Sequence, residues 1–130
     1  MALASREDIL KARERTFKDV YCPELEGEVR IQSLMANELE EYQASNRGKP
    51  DKEGNVEIVW KGSAARLVAR CAVDADGNRL FSDTEALSLG KLNAALINRL
   101  FAAACKLNGI GEKEMEEMVK NSEPGQGAGE

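Results

Sequence analysis

Between residues 92 and 107 the chain reads LNAALINRLFAAACKL, and its apolar positions do not fit on one face of a helix. Leu92, Ala95, Leu96, Leu100, Ala103 and Leu107 form a stripe at helical spacing. Ile97, Phe101 and Ala104 widen it past the half-circumference usual for a surface helix, so burial on more than one side is expected. Asn108-Gly109-Ile110 then has the order of a left-handed C-terminal cap followed by a hydrophobic contact.

Earlier segments follow other periods. FKDVYC alternates and is rich in aromatic and β-branched types, PELEG supplies a turn, and EVRIQSL alternates with Val29 and Ile31 on one face, which predicts a β-hairpin. Ser5 followed by Glu7 and Asp8 predicts a short charged helix over roughly 5–15. MANELEEYQASN, with Leu39 and Tyr42 at a helical interval, predicts a second helix that stops before RGKPDKEGN, a mobile surface loop over 47–55. VEIVWKGSAARLVARCAV predicts a third, with Trp60, Ala64, Leu67, Val68 and Cys71 on one face and Arg66 and Arg70 on the other. Its start stays open: VEIVW is β-branched enough for a strand, and Gly62-Ser63 is an alternative beginning. A last short helix is expected over 111–120, with Met115, Met118 and Val119 among acids and lysines, and a Gly-rich disordered tail over 121–130. No internal repeat is apparent. The fold class is α+β: a mainly helical single domain, residues 1–120, with an N-terminal β-hairpin.

VDADGNRLFSDTE, residues 73–85, places Asp74, Asp76, Asn78, Leu80, Ser82 and Glu85 at positions 1, 3, 5, 7, 9 and 12 of a calcium-binding EF-hand loop. The position that requires glycine for the sharp bend is Arg79, a cation among would-be cation ligands, while Gly77 stands two places early. The same residues read fully as a turn at Asp76-Gly77-Asn78 and a capping box from Ser82 to Glu85 opening a short helix, so no metal site is expected.

Composition narrows the function. A chain of 130 residues with 42% hydrophobic and 32% charged residues suits one globular domain. The net charge of −5, with no concentration of Lys and Arg, excludes a nucleic-acid footprint. No signal-like apolar stretch opens the chain, and nowhere do about 18 apolar residues run together, so a membrane is not expected. Cys22, Cys71 and Cys105 are odd in number and widely separated, and are expected as small buried hydrophobes in a reducing compartment. There is no histidine, which removes Ser-His and Cys-His nucleophiles and the commonest general base. The glutamate runs at 38–41 and 112–117 read as solvated faces. No catalytic residue and no cofactor is indicated; a binding or assembly protein is.

The order of segments adds a resemblance. A small acidic N-terminal helix, the hairpin VYCPELEGEVRIQSL, the helix ANELEEYQAS, a polar loop, Ala65-Arg66-Leu67-Val68, the turn DADGNRLFSD, Leu89-Gly90, INRLF at 97–101 and Lys120-Asn121-Ser122-Glu123 follow one another over nearly the whole chain. This closely resembles the tail assembly chaperones of long-tailed bacteriophages and prophages. The resemblance implies a non-enzymatic factor of the host bacterial cytoplasm that binds the tape measure protein, aids the tail tube protein in polymerising around it, and is absent from the mature virion. In many relatives a frameshifted longer form recruits the tube protein. A homo-oligomer presenting several copies to one long client fits this role. The excess apolar width, not the resemblance, nominates Ile97, Leu100, Phe101 and Ala104 as a partner-binding face; the competing reading makes them core. Alternatives in other classes are a structural tail or head-tail joining component and a small calcium-binding regulator using 74–85.

Overall fold

A computed structural model describes residues 2–111. Apart from Gly111, the helix expected over 111–120 and the tail expected over 121–130 lie outside the described residues. Alternation builds the hairpin as expected: Phe17–Cys22 (β1) and Gly27–Gln32 (β2) pair antiparallel, with Val20 opposite Val29 and Lys18 opposite Ile31. Val20, Val29 and the fully buried Ile31 and Cys22 face the core. On the other face Asp19 and Arg30 pair across the strands at 2.7 Å, between the exposed rings of Phe17 and Tyr21. The connection is a 3-10 turn, Pro23–Leu25, ended by Glu26 in the left-handed region at φ 51°. A two-residue strand, Ala72–Val73 (β3), adds antiparallel to β2 and completes a sheet of order β1-β2-β3.

Helices cover one face of this sheet. Ala94–Leu107 (α5) starts at Asn93, whose side chain accepts from the Leu96 amide at 3.1 Å. It ends where the Ile110 amide reaches the Cys105 carbonyl (2.9 Å) and the Gly109 amide the Lys106 carbonyl, with Gly109 at φ 73°. That is the left-handed cap read from the sequence, with Ile110 packed back on the core. Along its length α5 packs on β1 and β2 and on Ser63–Cys71 (α3), which accounts for apolar residues around so much of its circumference. The three cysteines are buried and no disulfide joins them. Burial pushes the Cys71 thiol up to about 12.

Two expectations change. The first helix (α1) is only Arg6–Leu10. Its Ser5/Asp8 capping box is present, but none of its residues is buried, and a turn of helix with nothing to pack on does not propagate. The third helix begins at Ser63, with Gly62 at φ 78° turning the chain into it, so Trp60 sits before the helix and not on its face. VEIVW is neither helix nor strand; it joins the loop through one bridge, Arg47 with Ile58. Ala36–Ser45 (α2) is attached through Tyr42, fully buried, whose hydroxyl lies 2.6 Å from the Ser63 hydroxyl. At its other end Glu38 caps the Met35 amide (2.7 Å) and takes the Arg15 guanidinium (2.9 Å), which holds the Glu38 carboxyl below the usual carboxylate range.

Candidate functional site

A groove of about 860 Å³ lies at the end of the domain where α3 and α5 both begin. Beside the loop residues Val59, Lys61 and Gly62, three pieces of chain build it. The first turn of α3 contributes Ala64, Ala65 and Arg66. A 3-10 turn, Asp83–Glu85, runs into a short helix, Ala86–Leu89 (α4), which contributes Ala86 and Leu87 and hands on to Gly90, Lys91 and Leu92. The opening turn of α5 contributes Ala94, Ile97 and Asn98. The Ser82/Glu85 capping box expected from the sequence starts the second piece, with the Ser82 amide donating to Glu85 at 2.8 Å.

One wall is loop, and an arginine holds it. Arg66 donates to Ser45 Oγ (3.2 Å), Asn46 Oδ1 (2.6 Å), Val59 O (3.3 Å) and Lys61 O (2.9 Å), a fork spread over the two ends of the long 46–62 connection. Withdrawal from water lowers its pKa. The loop also closes on itself, the Gly48 amide reaching the Glu57 carbonyl at 2.7 Å and the Val59 amide the Asn46 carbonyl. Gly48 is close-packed there: a Cβ would meet the Val59 side chain at 3.1 Å and the Glu57 carbonyl at 3.2 Å.

The groove is apolar with a cationic rim. Leu87 is 76% exposed, Leu92 51% and Val59 45%, over a floor of alanines and Ile97. Lys61, Arg66 and Lys91 stand around it, with no carboxylate in salt-bridge contact with any of them among the described residues. Asp83, the one acid of the lining among the described residues, is taken by Arg79 (2.7 Å) and approached by Arg70 (3.7 Å). The Arg79 hydrogen bond first, and both cations' charge, lower its pKa, so it is an anion at neutral pH and no proton donor. Such a surface suits the apolar stripe of an amphipathic helix flanked by acids.

Of the four residues nominated from the sequence, Leu100, Phe101 and Ala104 are sealed in the domain's own core, and Ile97, 7% exposed, is core that also lines the groove. The width of α5 that nominated them is taken up by the sheet and α3. Leu87 was missed. Its signal was Leu87 and Leu89 two apart in one helical turn, which cannot both face inward; Leu89 is buried and Leu87 is not.

The acids of 74–78 have a structural task. Asp74 Oδ1 accepts the amides of Asp76 (2.9 Å) and Asn78 (3.0 Å), the Asp74 amide donates to the Asn78 carbonyl, and Gly77 sits at φ 85°. Residues 51–55 repeat the arrangement: Asp51 Oδ1 accepts from Glu53 and Asn55, the Asp51 amide donates to the Asn55 carbonyl, and Gly54 has φ 85°. DKEGN and DADGN are one Asp-x-x-Gly-Asn turn used twice, a short repeat the sequence reading passed over. Arg79 points its guanidinium at the Ala69 carbonyl (3.1 Å) and Asp83. Among the described residues no three of His, Cys, Asp or Glu are grouped to hold a metal ion, and no helix is long and apolar enough to cross a membrane. Compared with protein-family models, curated proteins and solved structures, the chain matches none.

Proposed function

We propose that this protein is a non-enzymatic assembly chaperone of a long-tailed phage or prophage, acting in the host cytoplasm, which holds an apolar stripe of the tape measure protein in the groove between α3, α4 and α5. The observation that carries the reading is the groove itself: exposed Leu87, Leu92 and Val59 over an alanine floor, ringed by Lys61, Arg66 and Lys91. Long helical clients with apolar stripes stay soluble when a partner covers those stripes reversibly, and a groove one or two helical turns long does so weakly at any one point. Several copies along one client make the coverage strong.

The test is co-expression with the tape measure protein of the same gene cluster, using the wild type and a Leu87→Lys, Leu92→Lys variant. Both leucines are half or more exposed, so the variant should keep the wild-type unfolding temperature. The wild type keeps the client soluble and co-purifies with it; the variant does not. Equal solubilisation by both removes the groove from the reading. An insoluble client with both, and the protein recovered in purified particles instead, replaces the chaperone by a structural tail component.

A further inference from the structure

We propose that two copies of this chain join edge to edge through β1, antiparallel about a twofold axis at Asp19, so that their sheets become one. The inference stands whatever the groove holds.

Hydrogen-bond parity fixes the register. The Ser33 amide donates to the Thr16 carbonyl at 2.8 Å, so Thr16, Lys18, Val20 and Cys22 turn their peptide groups to β2, and Phe17, Asp19 and Tyr21 turn theirs away. Among the described residues β1 pairs with β2 alone. In an antiparallel pair, opposed residues share a face and exchange both bonds only when both turn outward. Opposing Asp19 to its own copy sets Phe17 against Tyr21 of the second copy and Tyr21 against Phe17, which uses every outward group of the strand.

The side chains fit that register. Phe17 is 48% exposed and Tyr21 59%, and each would cover the other's ring in an aromatic cross-strand pair on either side of the axis. Between those pairs the row reads Arg30, Asp19, Asp19, Arg30, neutral as a whole, with each carboxylate already held by its own arginine at 2.7 and 3.0 Å. On the core face the stem of Lys18 would lie over the half-buried Val20 of the other copy.

Helix spacing is the independent argument. α5 packs over both β1 and β2, so the two copies of α5 would stand about two strand spacings apart, roughly 10 Å, which is the packing distance of helices. The side of α5 turned toward β1 is marked by Arg99, which reaches Glu24 just past the end of that strand. Ala95, Ala102 and Ala103 lie within one turn of Arg99 on the same face, small enough for a close approach. The groove residues Ala94, Ile97 and Asn98 look the other way and stay open. Half-exposed rings contribute about 100 Å² each, so rings, strand edge and helix sides together come to about 1,000 Å², enough for a specific but weak dimer.

The experiment is analytical ultracentrifugation of the full chain between about 1 μM and 1 mM. Expected is a monomer–dimer equilibrium whose dissociation constant rises at least about tenfold in a Phe17→Lys, Tyr21→Lys variant and is unchanged in the Leu87→Lys, Leu92→Lys variant. A wild type that is monomeric throughout overturns the proposal, as does a dimer that the groove variant breaks and the edge variant does not. Oxidative cross-linking reads the register independently of any loss of fold in the edge variant. Opposed Asp19 residues have Cα atoms about 5.5 Å apart, within disulfide range, so an Asp19→Cys protein should cross-link to a dimer while Glu28→Cys, one strand further from the axis, should not. Equal cross-linking of the two, or none at Asp19→Cys, overturns the pairing. A dimer with these properties beside a tape measure protein that stays insoluble would leave this proposal standing and remove the chaperone reading alone.

Discussion

Replacing Arg66 by methionine keeps the length and apolar stem of the side chain and deletes its fork. Of the four acceptors, the carbonyls of Val59 and Lys61 belong to exposed loop and can turn to water. Asn46, only 3% exposed, cannot, and its Oδ1 loses the 2.6 Å bond. An orphaned buried acceptor costs about 1–3 kcal/mol, and relief of the guanidinium's own desolvation offsets part of that, leaving about 1–2 kcal/mol. With an unfolding entropy of about 2.1 cal/mol/K per residue, a domain of this size should lose about 4–7 °C in unfolding temperature. The loss should also be local, so amide exchange at Gly48 and Val59, whose bonds close the loop, should accelerate more than exchange in α5. Arg66→Lys should recover less than half, because an ammonium cannot span acceptors on both ends of the loop. The decisive comparison is thermal unfolding by circular dichroism beside hydrogen exchange. An Arg66→Met protein within about 1 °C of wild type, with unchanged exchange at both amides, would refute the claim that this side chain holds the wall of the groove.

Other substitutions test neighbouring claims. Tyr42→Phe leaves the buried Ser63 hydroxyl without its 2.6 Å partner and should cost about 1–2 kcal/mol in urea unfolding, whereas adding Ser63→Ala should restore part of it; strict additivity of the two would mean the hydroxyls do not interact. Phe101→Ala, at a site 1% exposed, should cost about 3–5 kcal/mol by the same measurement, and a cost under about 1 kcal/mol would show that the ring is not core. Cys71 keeps its proton in the fold, so its contribution to stability is complete below the unfolded thiol's pKa, near 9, and is lost as pH rises toward about 12. Native protein at pH 8 should therefore leave Cys71 unreacted with a thiol reagent until urea unfolds it. Glu38 has the opposite sign: its folded pKa lies below the ordinary value, so the Arg15 pair stabilises above that value and the gain disappears as pH falls through the folded pKa. Glu38→Gln should thus lower the urea midpoint at pH 7 and leave it nearly unchanged well below the folded pKa.

Local chemistry made much of the fold readable. The hairpin follows from alternation in FKDVYC and EVRIQSL, the end of α5 from Asn108-Gly109-Ile110, and the start of the 3-10 turn before α4 from Ser82 and Glu85, because each is decided by residues within a few positions of one another. The failures are long-range. VEIVW has strand-like residues, but its path is set by Arg66, several positions downstream and on another element. α1 has its cap and lacks anything to lie on. The groove was the least visible, since the apolar excess of α5 gives no sign of which residues the sheet will consume, and Leu87 became conspicuous only once Leu89 was seen to take the inward position.

The two Asp-x-x-Gly-Asn turns make the chain its own control. In each, the aspartate spends its carboxylate on backbone amides of its own loop, and the intervening two residues are free to differ, Lys-Glu in one and Ala-Asp in the other. Exchanging the pentapeptides should therefore be silent, and the rows of acids that invite a search for a ligand in either loop are spelling rules of chain reversal, as interchangeable between the two sites as hinges cut from one pattern.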